Sequence, residues 1–336
     1  MPLPRLAITL GDPCGIGPEL LLKSLPEIAR KWQVRVYGSR SGLAILPEPG
    51  IDFSFRGSKL YFQALEVLWI DPIPEITPNQ LQPGAPSSAS GRCACEAVKR
   101  AALDIMSGEA DALLTLPLSK AAAHLAGYRI QGHTELLQEA TGSPVVRMAF
   151  LSPTLNVALH TVHQSLRSAI EGLDAQRLAE TMIFAAKKLG ILLKAPQIKI
   201  GLCAINPHAG ESGAFGDEER ILEESIELAR AAFCTNASGP NMPIAIQPTF
   251  SGPYPADTIF QKACRKEFDV VVALFHDQGL LPIKLLEPER AVNLTLGLPF
   301  VRVSPDHGTA FDIAGKWLAN PNNTLAAADL ALSLLR

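Results

Sequence analysis

Short apolar runs alternate along the chain with longer segments in which apolar residues recur every three or four positions. The short runs are typical of buried β-strands, and the 3.6-residue spacing of the longer segments predicts helices. This alternation predicts an α/β fold with largely parallel strands, because parallel neighbours need a crossover that a helix supplies. The predicted strands are 6–10, 34–37, 67–70, 112–116, 155–159, 198–204, 270–275 and 291–294, and the predicted helices include 17–29, 95–106, 175–189 and 217–232.

The length of 336 residues, 47% of them hydrophobic, predicts two domains with sizeable cores. Residues 71–91 are rich in proline and serine and are expected to form a long surface loop. No other stretch looks like an interdomain linker. We therefore expect the chain to cross between its domains on continuous elements, which favours a discontinuous first domain.

Composition excludes several classes of function. The 30 basic and 33 acidic residues give a net charge of -3, which argues against a nucleic-acid partner. The apolar runs are shorter than the roughly 18 residues of a membrane helix, and the amino terminus lacks the apolar core of a signal peptide. We expect a soluble cytoplasmic protein with no membrane partner.

The six irregularly spaced cysteines predict reduced thiols. Cys93 and Cys95 are expected to be small buried residues rather than a metal or redox pair.

Four histidines lie in short polar motifs directly after predicted strands: His163, His208, His276 and His307. Ligands of parallel α/β sheets bind beyond the carboxyl ends of strands. Three imidazoles from distant strands would there hold one divalent ion and leave positions open for a substrate. A lone histidine is more often a surface or core residue, so the shared strand-end context is what favours a metal site.

Other features point to an anionic substrate without an overall positive charge. The Gly-His-Thr-Glu motif at 132–135 opens a predicted helix, with Thr134 as a possible N-cap and free N–H groups for a phosphate. Lys284 and Arg302 lie beside strand-like segments and suit phosphate binding, although ordinary solvated charges are the alternative. The glycine-rich turn at 11–19 would hold an anion or be purely structural, and it lacks the Rossmann G-x-G-x-x-G pattern.

Seven motifs together resemble the 4-hydroxythreonine-4-phosphate dehydrogenase family of pyridoxal phosphate biosynthesis. They follow the family's order and are far more specific as a set than any one of them. The motifs are GDPCGIGPE (11–19), GHTE (132–135), NPHAGE (206–211), GPYPADT (252–258), HDQG (276–279), NLTLGLPFVR (293–302) and DHGTA (306–310).

The resemblance implies a two-domain isocitrate/isopropylmalate-dehydrogenase-like fold with the site in an interdomain cleft, completed across a homodimer. Residues 1–128 and 295–336 would form a discontinuous cofactor-side domain. Residues 129–294 would form the metal, substrate and dimerisation domain.

The resemblance also assigns site residues, one by one. The metal ligands fall on His163, His208 and His276, and the ion is expected to be zinc, magnesium, cobalt or manganese. Asp257 and Asp277 are the catalytic candidates, and whether either ligates the metal, orients a histidine or moves a proton stays open. The substrate contacts fall on His133, Thr134, Lys284, Asn293 and Arg302.

The segment 306–316 resembles the adenosine-binding loop of the β-decarboxylating dehydrogenases, with His307, Gly308 and Asp312 as cofactor contacts. A carboxylate at Asp312 would accept hydrogen bonds from the ribose and repel a 2′-phosphate, so we expect NAD rather than NADP. Two departures from the family pattern are Cys14, where a small residue is common, and the additional His160, which we expect to pack rather than ligate.

The implied activity is NAD-dependent oxidation of 4-phosphooxy-L-threonine at C3 to 2-amino-3-oxo-4-phosphooxybutanoate, which decarboxylates to 3-amino-2-oxopropyl phosphate. The nearest alternative is a 4-phospho-D-threonate or 4-phospho-D-erythronate dehydrogenase of the same family. A dihydrodiol dehydrogenase would not need the phosphate contacts. A phosphotransacetylase-like acyltransferase would need a coenzyme A site, and a non-catalytic binding protein would not need both a metal set and a ribose acceptor.

Overall fold

The computed structural model describes residues 2–47, 52–236 and 246–336, and the side chains of 234–236, Cys234 among them, lie outside that description. The chain divides into two compact units, Met1–Val146 with Val292–Arg336, and Arg147–Ala291. The first unit is thus discontinuous, and the divisions fall at 146/147 and 291/292, where the sequence placed them at 128/129 and 294/295. The division of roles between the units stays a prediction.

The described strands and helices alternate as in an α/β protein. The strands are β1 (Arg5–Thr9), β2 (Gln33–Tyr37), β3 (Phe53–Arg56), β4 (Lys59–Phe62), β5 (Leu65–Ile70), β6 (Ala112–Thr115), β7 (Arg147–Leu151), β8 (Asn156–Leu159), β9 (Gln197–Cys203), β10 (Gln247–Tyr254), β11 (Val270–Ala273), β12 (Val292–Leu296) and β13 (Val301–Pro305). The helices are α1 (Gly17–Ile28), α2 (Ser41–Ala44), α3 (Ser88–Met106), α4 (Lys120–Leu125), α5 (His133–Thr141), α6 (Leu166–Glu171), α7 (Ala175–Leu192), α8 (Glu219–Asn236), α9 (Ala256–Cys264), α10 (His276–Leu286) and α11 (Asn322–Leu335). Short 3-10 segments cover Pro78–Gln80, Pro207–Gly213 and Phe311–Ile313.

The strands of the first unit run in the order β12-β13-β6-β1-β2-β5-β4-β3. The five from β13 to β5 are parallel, so the loops after them emerge at one edge. The strand β12 is antiparallel to β13 and pairs Asn293 with Ser304, which brings the start of β12 to the same edge. That edge therefore collects the turn 11–17, the loop 306–316 and Asn293.

The strands of the second unit run in the order β10-β9-β11-β8-β7, with β7 antiparallel to its neighbour and the other four parallel. The carboxyl ends of β8, β9 and β11 therefore lie at one edge. His163 and His208 follow β8 and β9, and His276 opens α10 directly after β11.

Packing explains where the helices lie. In the first unit, α3 buries Ala97, Val98, Ala101 and Ala102 in a core that also contains Leu113 of β6. The small alanine side chains of α3 allow this helix to pack closely against the sheet. A second core, in the Arg147–Ala291 unit, groups strand residues of β8 and β11 with residues of α9 and α10. None of the helices in the described part of the chain has the length and apolar character that crossing a bilayer requires.

The eight predicted strands are confirmed, with ends shifted by at most two residues, whereas β3, β4, β7, β10 and β13 were not predicted. The predicted loop over 71–91 is wrong at its end, because α3 already begins at Ser88. Ser87 caps this helix by accepting a hydrogen bond from the backbone of Ser90, and the Ser90 hydroxyl accepts one from the backbone of Ser87.

Candidate active site

Two of the three predicted metal ligands lie side by side in the second unit. The ring centroids of His163 and His276 are 6.1 Å apart. Backbone hydrogen bonds from His160 to Ala273 and from Thr161 to Leu274 join the ends of β8 and β11, which brings the two rings to the same place. The convergence expected from their strand-end context therefore holds for this pair.

The third histidine lies in a turn of unusual backbone conformation. His208, Ala209, Glu211 and Ser212 all have positive φ values between 41° and 61°, and Gly210 has 74°. Left-handed conformations cost an L-residue about 1 kcal/mol or more, so the surrounding structure must hold this turn. His208 is exposed, with its ring centroid 6.3 Å from that of Phe215.

The described residues of one chain do not by themselves assemble the predicted metal centre. Within 2–47, 52–236 and 246–336, no three side chains from His, Cys, Asp and Glu lie close enough to hold one ion. The ligand set of His163, His208 and His276 therefore stays a prediction. Its chemistry nevertheless fits a divalent transition metal, because imidazole nitrogen suits these ions and two of the rings are already adjacent.

The two acidic candidates differ in their contacts. The Oδ1 atom of Asp277 lies 2.7 Å from Nδ1 of His276, so this carboxylate orients the imidazole and leaves its Nε2 for another partner. Asp257 is the second residue of α9 and is exposed. Catalytic roles for both residues stay predictions, although the contact of Asp277 is that of a group that orients a ligand.

The first unit contains a buried cation. Arg302 on β13 is 1% exposed. Its Nη1 donates to the Thr295 hydroxyl at 2.9 Å and its Nη2 to the Thr115 hydroxyl at 2.5 Å, while its Nε has no hydrogen-bond partner among the described residues. Burial lowers the pKa of Arg302 to about 9, and the charge of Glu135 acts in the opposite direction. A buried guanidinium held by neutral hydroxyls favours an anionic ligand.

Two other predicted substrate residues also have buried side-chain atoms without a hydrogen-bond partner among the described residues. Nε2 of His133 and Oδ1 of Asn293 are both buried, and neither finds a partner in the described part of the chain. Burial, and then the charge of Arg302, hold the pKa of His133 well below its usual range, against a hydrogen bond with the backbone of Leu116. His133 and Arg302 are thus neighbours. Unused hydrogen-bonding capacity of this kind is typical of a polar ligand site.

The remaining substrate predictions lie in different places. Thr134 is the second residue of α5 and is not its N-cap, because the helix begins one residue earlier and Gly132 occupies the N-cap position. Lys284 is an exposed residue of α10 in the second unit. Sequence reasoning missed Thr115 and Thr295, since buried threonines in strands carry no signal that they will bind a guanidinium.

The glycines of the turn 11–17 serve close packing. A Cβ atom on Gly11 would lie 2.2 Å from the carbonyl oxygen of Pro117, and one on Gly15 would lie 2.8 Å from that of Thr309. The Ile16 N–H donates to the same Thr309 carbonyl at 3.0 Å. The structural interpretation of this motif thus accounts for its glycines, and the turn supports the loop 306–316.

Glu19, in the first turn of α1, fixes the chain that follows the loop 306–316. This fully buried carboxylate accepts hydrogen bonds from the backbone of Trp317 at 3.1 Å and of Ala319 at 2.7 Å. Lys23 donates to the carbonyls of both residues. In the loop itself, Asp312 is exposed and Nδ1 of His307 lies 3.3 Å from the Gly308 carbonyl, so their cofactor roles stay predictions.

Cys14 and His160, the two departures from the family pattern, pack inside the protein, as do Cys93 and Cys95. Burial raises the pKa of the Cys14 thiol to about 11 and those of Cys93 and Cys95 to about 12, which makes them poor nucleophiles and matches the predicted buried thiols. Nδ1 of His160 lies 3.0 Å from the Thr181 hydroxyl. Burial, helped by Arg147, lowers the pKa of His160 to about 4.

Comparison with known proteins settles the family. Residues 43–331 match the family described as "Pyridoxal phosphate biosynthetic protein PdxA". The chain belongs to the PdxA family. A 4-hydroxythreonine-4-phosphate dehydrogenase of Geobacter metallireducens is 36% identical over 99% of this chain and 96% of its own length. A D-threonate 4-phosphate dehydrogenase of Cupriavidus necator is 39% identical over 97% of this chain and 95% of its own.

Solved structures confirm the fold. The crystal structure of 4-hydroxythreonine-4-phosphate dehydrogenase from Klebsiella pneumoniae has a TM-score of 0.79 and 35% identity, covering 99% of this chain and 100% of the other. A β-decarboxylating dehydrogenase from Thermococcus kodakarensis, 14% identical, has a TM-score of 0.50 over 99% of this chain and 84% of its own. The predicted α/β fold class is thereby confirmed, and the PdxA-family relatives named above are dehydrogenases.

Proposed function

We propose that this protein oxidises 4-phosphooxy-L-threonine at C3 with NAD in the biosynthesis of pyridoxine 5′-phosphate. The observation that carries the proposal is the buried Arg302, which lies in a chain of the PdxA family. Its Nε, like Nε2 of His133 and Oδ1 of Asn293, has no hydrogen-bond partner among the described residues. The product, 2-amino-3-oxo-4-phosphooxybutanoate, is a β-keto acid. Loss of its carboxylate as carbon dioxide leaves 3-amino-2-oxopropyl phosphate.

The substrate phosphate would be held by His133, Thr134, Asn293 and Arg302, with Lys284 as a further cation. Arg302 is the central member, because its burial removes competing water and its Nε still lacks a partner in the described chain. Binding energy from the phosphate, which is remote from the reacting carbon, would position C3 for oxidation.

His163, His208 and His276 would hold one divalent ion, of zinc, cobalt, manganese or magnesium. Such an ion, when bound, lowers the pKa of a substrate hydroxyl and polarises the ketone that forms. The carboxylate of Asp277 would keep Nε2 of His276 directed at it, given the 2.7 Å contact with Nδ1. Asp257, or Asp277 itself, would take the hydroxyl proton.

The loop 306–316 would bind the cofactor, with His307, Gly308 and Asp312 in contact. NAD, when bound there, would supply the acceptor for the hydride from C3. The carboxylate of Asp312 would accept from the ribose hydroxyls and repel the 2′-phosphate of NADP. The hydrogen bonds from Ile16 to Thr309, and from Trp317 and Ala319 to Glu19, give this loop a rigid base.

A homodimer would complete the metal centre. Large apolar side chains near all three histidines along the chain are unusually exposed: Leu166 51%, Phe215 51%, and Leu281 63% with Leu285 81% on α10. An apolar surface around a polar site favours burial against a second copy of the chain. A partner would then supply the ligand that one chain does not bring to the other two.

The second candidate function is oxidation of 4-phospho-D-threonate or 4-phospho-D-erythronate. The relative that favours it is the D-threonate 4-phosphate dehydrogenase, which is as similar to this chain as the 4-hydroxythreonine-4-phosphate dehydrogenase. All three acids carry the phosphate that Arg302 would bind. They differ at C2, next to C3, where 4-phosphooxy-L-threonine has an amino group and the other two acids have a hydroxyl group.

The test is NADH formation by the metal-loaded protein with each of the three phosphorylated acids, with unphosphorylated threonine and with NADP in parallel. We expect the highest kcat/KM with 4-phosphooxy-L-threonine and NAD. The variant Arg302→Met should lose at least about 100-fold, through the lost phosphate contact. A preference for the hydroxy acids would favour the second candidate, and no turnover of any acid would contradict both.

A further inference from the structure

The left-handed turn that carries His208 is held by one buried carboxylate. Glu219, the first residue of α8, is 6% exposed. Its Oε1 accepts hydrogen bonds from the backbone N–H groups of Ile205 at 3.2 Å and Asn206 at 2.8 Å. Its Oε2 accepts one from Nδ2 of Asn206 at 2.8 Å. One side chain thus fixes the two residues that precede the turn.

Glu219 also contacts the turn at its centre. A Cβ atom on Gly210 would lie 2.8 Å from Oε2 of Glu219, so the backbone of the turn rests directly against the carboxylate. His208 lies between these two attachments, two residues after Asn206 and two before Gly210. A segment of left-handed residues is intrinsically unfavourable and persists only when its surroundings determine it. Glu219 is the buried group that meets it on both sides.

We propose that Glu219 is a positioning residue that holds the Pro207–Gly213 turn in its strained form and so places the imidazole of His208. The inference rests on the proposed metal role of His208 and adds a residue that the seven motifs do not contain. Without the carboxylate, Ile205 and Asn206 would lose their acceptor and the turn would relax towards ordinary backbone conformations. His208 would then spend most of its time away from the other ligands.

The neighbouring Glu218 provides a matched control. It is also an acidic residue beside the turn, and its Oε2 accepts from Nδ2 of Asn206 at 2.7 Å. It is only half-buried, and no hydrogen bond joins it to the backbone of Ile205 or Asn206 within the described residues. The variants Glu218→Gln and Glu219→Gln therefore make the same change of charge, and only the second disturbs the buried anchor.

The experiment measures amide hydrogen exchange over 205–213 in the metal-free protein, and zinc affinity by competition with a chelator. We expect Glu219→Ala to speed exchange in this segment at least tenfold and to raise the zinc Kd about 10- to 100-fold, the usual cost of losing a group that orients a ligand. Glu219→Gln keeps one acceptor oxygen and should show a smaller change in the same direction. Glu218→Gln should resemble wild type.

His208→Ala, measured alongside, separates this inference from the proposed function. If His208→Ala loses zinc while both Glu219 variants keep wild-type exchange and zinc affinity, the positioning role is wrong and the metal site stands. If His208→Ala binds zinc like wild type, the metal role of His208 is wrong, and the exchange rates alone decide whether Glu219 holds the turn. Should Glu219→Ala fail to fold, Glu219→Gln supplies both measurements.

Discussion

Arg302 is buried and its neighbour His133 is partly buried, and their charges would repel each other if His133 were protonated without a bound anion. Burial, and then the positive charge of Arg302, hold the pKa of His133 well below its usual range, so the imidazole is neutral in the anion-free protein. Nε2 of His133 and Nε of Arg302 both lack a partner among the residues described. A dianion between them would satisfy both nitrogens and favour the protonated imidazole.

Anion binding should therefore take up a proton at His133. Sulfate is a suitable probe, because it stays a dianion between pH 6 and 8. We expect its affinity, measured by calorimetry at constant ionic strength, to rise as pH falls, by up to about tenfold per pH unit. His133→Gln cannot titrate and should bind sulfate with little pH dependence. Equal pH slopes in the two proteins would show that His133 does not gain the proton.

Asp12 makes the folded protein sensitive to pH at a second position. Burial raises the pKa of Asp12 to about 6, against hydrogen bonds from Cys14 and Ser90, whereas an unfolded aspartate titrates near 3.8. The folded state thus holds the proton more tightly, and this stabilisation is present below pH 4 and lost as pH rises through 6. The difference between the folded and unfolded pKa values corresponds to a change of about 3 kcal/mol in the free energy of unfolding.

Comparison with Asp12→Asn isolates this contribution, because the other carboxylates are common to both proteins. Between pH 4 and 7 the unfolding free energy of wild type should fall by about 2 kcal/mol relative to the variant, as measured by urea denaturation. A difference that does not change with pH would mean that Asp12 titrates normally in the folded protein.

Among the elements, the hydrophobic pattern predicted the buried strands well, because β6 and β11 are almost continuous apolar runs and because β1, β2 and β9 place their apolar residues at buried positions. The strand β3 at the sheet edge and its neighbour β4 alternate more and less exposed residues over only four positions, too few for a clear period. The strand β13 was not predicted, because the buried Arg302 interrupts its apolar residues.

The site was predictable to the extent that its residues are chemically distinctive. Histidines after strands and the family motifs led to His163 and His276, which the structure brings together. Glu219 and Thr115 were not predictable, because their importance comes from hydrogen bonds to residues distant in the chain. The glycines of 11–17 were ambiguous for the same reason, since the carbonyls they approach belong to other segments.

Two helix glycines offer a test of the packing. A Cβ atom on Gly91 of α3 would lie 2.0 Å from the backbone oxygen of Ala122 in α4, whereas one on Gly190 of α7 would lie 2.8 Å from the terminal Cδ1 atom of the Ile246 side chain. Glycine to alanine usually stabilises a helix by about 1 kcal/mol. We expect Gly91→Ala to destabilise by about 2–3 kcal/mol and Gly190→Ala by less than about 1 kcal/mol in urea denaturation. Equal effects would contradict the close contact of α3 with α4.

At the scale of the whole molecule, the exposed leucines of α10 predict self-association. Leu285 is 81% exposed on the helix that begins with His276. Leu285→Lys should shift the protein from dimer to monomer in analytical ultracentrifugation and weaken metal binding at the same time, because burying a lysine in an apolar interface is costly. Leu103→Lys, at a residue 56% exposed on α3 of the first unit, is the control and should stay dimeric. A dimeric Leu285→Lys would place the interface elsewhere.

The proposed metal site requires that His163, His208 and His276 hold one divalent ion in the assembled protein. The most direct test measures metal content and Kd for wild type and for the alanine variant of each histidine, with oligomeric state monitored in each case. We expect one ion per chain in wild type and a large loss of affinity in all three variants, since an ion held by only three protein ligands binds much more weakly when any one is removed. A variant that stays dimeric and retains one ion per chain with the wild-type Kd would contradict this ligand set.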